Sequence, residues 1–485
     1  MKKTAVFLSV LIAFNLFFIL SGCKKTENIS RTEYNIACEL VGNVLNGKQT
    51  VSVYNSTDNA FSELKFNLYG NAFRKDAKYS PVSAQHTAQS YPNGINYGDM
   101  KINGVNIGGS GLEYAVGGID QNILTVKLKD ELFPNERVSV SIDFTLNLAN
   151  VVARTGINDR TVNLANFYPV LCAFDNGGFY ECVYYSTGDP FYSDCADYKV
   201  TLTADKEYVV ASSGKVISSK ENQNTATRTY QLKNARSFAF VLSKDFDMVS
   251  GKASGVEINY YFYDDKEPLK SLEYAVKSIG LFSKTFGAYA YPHYAVVQTK
   301  FVQGGMEFPA LVMVSDDLGG LPYGEVIVHE TAHQWWQTAV GNNEIEYGFL
   351  DEGLAEYSVV LFYEKFPEYG YTRQGLITAT EQTYKTFCSV SDKVFGKVNT
   401  VMTRSLKDFT SEYEYVNIAY IKPCIMYDGI RKTVGDTRFF ASLKRYYSGY
   451  KFKNASPHDL VGAFEKTGSD TNGYFQSFFD GKVII

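Results

Sequence analysis

V-I-V-H-E-T-A-H-Q-W-W-Q-T-A-V-G-N-N-E-I-E-Y-G-F-L-D-E-G-L-A-E, residues 326 to 356, decides how this chain is read. His329 and His333 are four residues apart, so on a helix they lie one above the other on one face. Two imidazoles so placed can share a zinc ion, and Glu330 then faces the water bound to it. The helix is expected to begin with Glu325 in its first turn, to carry Val326, Ala332 and Val340 as apolar positions, and to stop at Gly341. With five His and 52 acidic residues in 485, H-[DE]-x-x-H arises by accident in only about five chains per thousand.

After Gly341 a short loop leads to Leu350-Asp351-Glu352-Gly353, where Asp351 reads as an N-cap and Pro367 closes the helix. Two helices joined so closely must pack antiparallel, which folds Glu352 back towards the histidines. His-His-Glu is a standard ligand set for a catalytic zinc that keeps its fourth position open. Glu356, one turn further, is placed to orient a ligand histidine or to be a solvated carboxylate.

H-E-T-A-H-Q-W-W, V-G-N-N and L-D-E-G-L-A-E-Y together resemble the zinc aminopeptidase family of membrane alanyl aminopeptidase and leukotriene-A hydrolase. The resemblance implies one zinc ion, with Glu352 as its third ligand beside His329 and His333, and Glu330 as general base. A second family element, G-x-M-E-N, is matched by Gly304-Gly305-Met306-Glu307-Phe308, with Phe308 in place of Asn. It implies that Glu307 binds a free α-ammonium, while the backbone at Gly304 and Gly305 lines the peptide as an added strand. A family Tyr in a Y-x-K-G context supplies a donor to the developing oxyanion. Tyr420-Ile421-Lys422-Pro423 is the best match, with Arg431 and Gly435 following and Pro423 replacing Gly. Proline is accepted in a first helical turn.

Working outward, residues 1–22 read as a lipoprotein signal peptide. Lys2 and Lys3 precede an apolar run from Ala5 to Leu20, and Leu20-Ser21-Gly22-Cys23 looks like a bacterial lipobox. Cleavage before Cys23 and lipidation of its thiol are expected, with 23–32 as a tether, and so an exported protein lipid-anchored at the bacterial cell envelope or surface. Residues 33–263 alternate as an N-terminal all-β domain, in segments such as Thr50–Tyr54, Ile123–Leu128, Val138–Leu146 and Lys199–Ala204. Asn166-Phe167-Tyr168-Pro169 and Gly188-Asp189-Pro190-Phe191-Tyr192 are similar to the family's β domain. Residues 264–485 are expected to form an α+β, mostly helical, thermolysin-like catalytic domain. It would open with an amphipathic helix through Leu269, Leu272, Val276, Ile279, Phe282 and Phe286, ended by Gly287. Strands are expected at Tyr294–Thr299 and Leu311–Val314, and helices from Thr437 to Phe479. Full-length family members carry a further helical domain, whereas this chain ends some 65 residues after Tyr420; a more open cleft is the corresponding expectation.

A net charge of -5 and the lack of a basic tract argue against a nucleic-acid partner. Beyond Cys23 the six cysteines allow 15 pairings, and the sequence selects none. The reading is therefore a surface zinc aminopeptidase that takes peptides with a free N-terminus. Its alternatives are a thermolysin-like metalloendopeptidase and a non-catalytic surface peptide-binding protein.

Overall fold

Strands dominate as far as Phe262 because side chains there alternate between core and solvent. Glu33–Val41 buries every second residue, and Val44–Tyr54 beside it and Arg137–Asn147 next in the sheet follow much the same period. The computed structural model describes residues 30–318, 320, 322–468 and 470–483. The signal segment and Cys23 lie outside the described residues, and 31–485 form one compact unit.

The largest sheet has eight strands, running from Lys215–Glu221 at one edge to Ser110–Gly111 at the other. All its neighbours are antiparallel except Glu33–Val41 and Ala196–Asp205, which run parallel in register from Glu33 opposite Asp197. Two four-stranded sheets, one of them holding Phe61–Asn67 and Ile123–Leu132, and the short pair Phe174–Asp175 and Gly178–Phe179 complete the β region among the described residues. Its Tyr and Phe rings fill the core: Tyr34, Tyr168 and Tyr198 stack or meet edge-on at centroid distances of 4.9–5.9 Å.

A five-stranded mixed sheet comes next, in the order Asp247–Ala253, Val256–Phe262, His293–Thr299, Leu311–Ser315, Gly305–Phe308. Its first two strands precede residue 264, so this sheet draws strands from both sides of that position. The amphipathic helix Pro268–Thr285 packs on it, and Gly287 follows at φ +138°, where a Cβ would press on the Tyr447 ring. Helices then take over, from Tyr323–Ala332 through Phe349–Lys365, Arg373–Phe395 and Lys422–Val434 to Asp436–Tyr450, Pro457–Glu465 and Asn472–Phe479. The six cysteines among the described residues are buried and unpaired. No helix among the described residues is long and apolar enough to cross a membrane.

Candidate active site

The histidine helix is shorter than its sequence suggests. It runs Tyr323–Ala332 with His333 as C-cap, not on to Gly341. Gln334 stops it: its side-chain oxygen accepts from Ala310 N at 2.9 Å and its nitrogen donates to Phe308 O at 3.1 Å, tying the helix end to the sheet. Gly341 instead lies in a two-residue strand, where a Cβ would collide with the Arg236 guanidinium. The following helix starts at Phe349, so Asp351 is inside its first turn rather than its N-cap, and Asn342 Nδ2 donates to the Asp351 carboxylate at 2.9 Å.

His333 is still helical enough to keep the i, i+4 relation. His329 Nε2 and His333 Nε2 are 3.1 Å apart, and each is 3.2 Å from Glu352 Oε2. Three ligands held about 2.0–2.1 Å from one tetrahedral centre span edges close to these, so the donor set and its spacing fit zinc. The far ring nitrogens are fixed as well. His333 Nδ1 donates to Trp336 O at 3.0 Å, and His329 Nδ1 lies 3.3 Å from Glu356 Oε2. Both leave Nε2 free to ligate. Burial disfavours the charged imidazoles, yet Glu352, with Glu356 beside His329 and Glu330 beside His333, pushes both up to about 10. Burial would also raise Glu352, but the two rings hold it well below the usual carboxylate range. This corner of the cleft attracts positive charge.

Glu330 and Glu307 face the same space. Burial lifts Glu330 to about 7 against the pull of both histidines, and its Oε2 has no partner among the described residues. It lies against Gly305, whose missing side chain makes room for the carboxylate. Glu307 sits on the edge strand Gly305–Phe308, which among the described residues pairs only with Leu311–Ser315. Its carboxylate, raised well above its usual range by burial and then by Asp189, Glu330 and Glu352, comes within 4.8 Å of ligand atoms of Glu330 and His333. Gly304, at φ +83°, turns the chain into that strand.

Tyr420 closes the ring of groups. Its hydroxyl donates to Glu352 Oε1 at 2.6 Å, and its ring stacks on His329 at 5.8 Å. It rides on a π-helical turn, Asn417–Ile421, inserted before Lys422–Val434. Pro423 has no N–H to give that ladder and its ring crowds the preceding turn, which the wider turn accommodates. Gly353 allows the approach: a Cβ there would meet the Pro423 ring at 2.5–2.6 Å. Lys422, next along, is wholly buried and donates to Thr400 O and Phe478 O at 2.5 and 2.7 Å.

The cleft these residues line measures about 440 Å³. The β region contributes a wall, as the family resemblance implies, through residues that the sequence gave no individual role: the Arg154 guanidinium paired with the Asp189 carboxylate, and Gly188. The run Gly188-Asp189-Pro190 was the available signal. Glu325, Glu356 and Glu412 stand along the same cleft.

Residues 270–480 match the Peptidase family M1 domain. That segment contains every site residue named above apart from those of the β region. Aminopeptidase M1-B of Oryza sativa subsp. japonica is 26% identical over 295 residues, which cover 56% of this chain and 32% of that protein. Aminopeptidase M1 of Arabidopsis thaliana is 25% identical over 294 residues, with 56% and 32% covered. The chain thus spans about a third of the length of these curated relatives. A crystal structure of the M1 zinc metallopeptidase from Deinococcus radiodurans shares the fold, with a TM-score of 0.67 at 15% identity over 94% of each chain. A mutant of the same protein bound to a Tyr-Ser-Ala substrate gives 0.65 at 16% identity, again over 94% of each.

Proposed function

We propose that this chain is a zinc-dependent aminopeptidase that removes the N-terminal residue from peptides. The observation that carries this reading is Glu307, a buried carboxylate on the cleft wall that comes within 4.8 Å of ligand atoms of Glu330 and His333. It stands one step along the cleft from the His329–His333–Glu352 triangle. A carboxylate there offers a site to a substrate's α-ammonium and so restricts attack to the first peptide bond. The M1 relatives named as aminopeptidases favour the same reading.

His329, His333 and Glu352 would hold the metal. When bound, zinc supplies Lewis acidity towards the scissile carbonyl and lowers the pKa of water towards neutrality. The other steps belong to the chain. Glu330, with an affinity for protons near neutrality, takes one from the attacking water and returns it to the leaving amine. Tyr420 turns its hydroxyl from Glu352 to the oxygen that becomes negative. The unpaired edge of Gly305–Phe308 offers backbone groups to an extended peptide, and Glu307 fixes its first residue.

We further infer export and attachment at the bacterial cell envelope through a lipid on Cys23, supported by the apolar run Ala5–Leu20 and the L-S-G-C sequence. Labelled fatty acid should enter the wild-type chain and not Cys23→Ser; equal labelling would reject the anchor.

Release of a chromophore from amino-acyl anilides, each beside its N-acetylated twin, tests the activity. Chelator-sensitive cleavage of free-amine substrates alone, lost in Glu330→Gln, supports it. Equal cleavage of the acetylated twins moves the protein to the endopeptidase reading, and silence from zinc-loaded protein to the binding-protein reading.

A further inference from the structure

A small cavity of about 20 Å³ lies beside Glu307. Glu307, Glu344, Gln337 and Asn342 border it. Three acceptor oxygens of these residues are buried without a partner among the described residues: Glu307 Oε1, Glu344 Oε2 and Gln337 Oε1. Their residues are only 3%, 3% and 7% exposed. A buried acceptor without a donor costs free energy, and a buried carboxylate without a counter-charge costs more. Glu307, Glu344 and Asp351 also place one oxygen each within 4.8 Å of one another. The guanidinium in the wall, Arg236, is committed elsewhere, to the carbonyls of Gln337, Ser193 and Lys453 and to the Asn454 side chain.

The backbone is strained to bring the amide in. Gln337 sits at φ +114°, an uncommon value for a residue with a side chain. Its N–H donates to Val340 O at 2.8 Å and its carbonyl accepts from Arg236 Nε at 2.7 Å. Its side-chain nitrogen donates to Glu344 Oε1 at 2.5 Å, which leaves the amide oxygen as an acceptor.

We propose that this cavity is a second metal site, for a hard divalent cation of the calcium type, held by Glu307, Glu344 and the Gln337 amide oxygen, with the Asp351 carboxylate close to the first two. The donors are all oxygen, which excludes a preference for zinc. Carboxylate and amide oxygens are the donors calcium takes, and the cavity is large enough for the ion or one water. A water has two protons for three orphaned acceptors and brings no charge, whereas the ion satisfies all of them. The site shares Glu307 with the aminopeptidase reading, and its test does not read activity.

Terbium stands in for calcium, and Tyr69 and Tyr192 in the cavity wall sensitise its luminescence. Titrating terbium into the full chain, zinc-loaded so that the His-His-Glu triangle is filled, should give one saturable signal that calcium displaces. Calcium should also raise the melting temperature of wild type. Glu344→Gln keeps the shape and removes a charge, and should weaken binding at least tenfold; Gln337→Gly, which relieves the backbone, should weaken it several-fold. Glu346→Gln should bind as wild type. No saturable terbium or calcium binding to the folded wild type, or equal binding by Glu344→Gln, overturns the proposal. Displacement by magnesium and not calcium overturns the choice of ion.

Discussion

Removing one oxygen from Tyr420 isolates the oxyanion donor. In Tyr420→Phe the ring keeps its stack on His329 at 5.8 Å and its packing against Tyr415 at 5.7 Å, so the local fold is held. What disappears is a hydroxyl now donating to Glu352 Oε1 at 2.6 Å. A hydrogen bond to a charged group contributes about 1.5–3 kcal/mol, and that loss falls on the resting protein. Glu352 Oε2, the oxygen facing both histidines, keeps its place, so zinc should still bind. The transition state loses a donor aimed at developing charge, which costs about 2.7–4 kcal/mol or 10²–10³ in kcat. Steady-state cleavage of a free-amine anilide should therefore show kcat down by that factor with KM within about threefold, and one zinc per chain by metal analysis. A kcat within threefold of wild type at full zinc occupancy would refute the role. Loss of zinc would show instead that the hydroxyl acts through the metal ligand.

Other perturbations have distinct readouts. Glu330→Gln should lower kcat by about 10²–10⁴ while zinc content is unchanged; activity within tenfold would remove it as the base. Glu307→Gln should raise KM for free-amine substrates by one to three orders of magnitude, as loss of a buried charge-assisted contact of about 2–4 kcal/mol implies, and should narrow the discrimination against N-acetylated twins. Chelator should abolish cleavage and zinc should restore it, whereas unchanged turnover by metal-free protein would reject the triangle as the metal site. Lys422 gives a pH test of stability. Burial lowers its pKa from 10.5 to about 7, so between those values the unfolded chain holds a proton that the folded chain has released, and stability rises with pH. The slope is about 1.4 kcal/mol per pH unit, up to about 5 kcal/mol in total. Lys422→Met should lose this rise in denaturant melts from pH 7 to 10, and parallel curves for the two proteins would contradict the assignment.

Much of the site was legible because its chemistry is local. The i, i+4 spacing of His329 and His333 depends on one helical turn, and Glu352 returns to them because the connection between the two helices is short. The order of β region, mixed sheet and helices followed from periods of two and of three to four residues, which each segment carries by itself. Helix ends were less legible. Nothing near Gln334 marks a stop, because the groups that halt the helix are Phe308 O and Ala310 N, over twenty residues away in sequence. Gly341 looked like a helix terminator, yet its role is to admit Arg236, more than a hundred residues earlier.

The chain by itself therefore brought out the closeness of His329, His333 and Glu352, the place of Glu330 beside them and the order of elements, since these rest on spacing within one helix or one short connection. Only the tertiary structure decided that Arg154 and Asp189 wall the cleft, that Tyr420 stacks on His329 from a π-helical turn, and that Gln337 and Glu344 meet beside Glu307. Those groups meet across long loops and separate sheets. Their meeting is fixed by how the sheets and helices bury their apolar faces, and a one-dimensional pattern does not encode that.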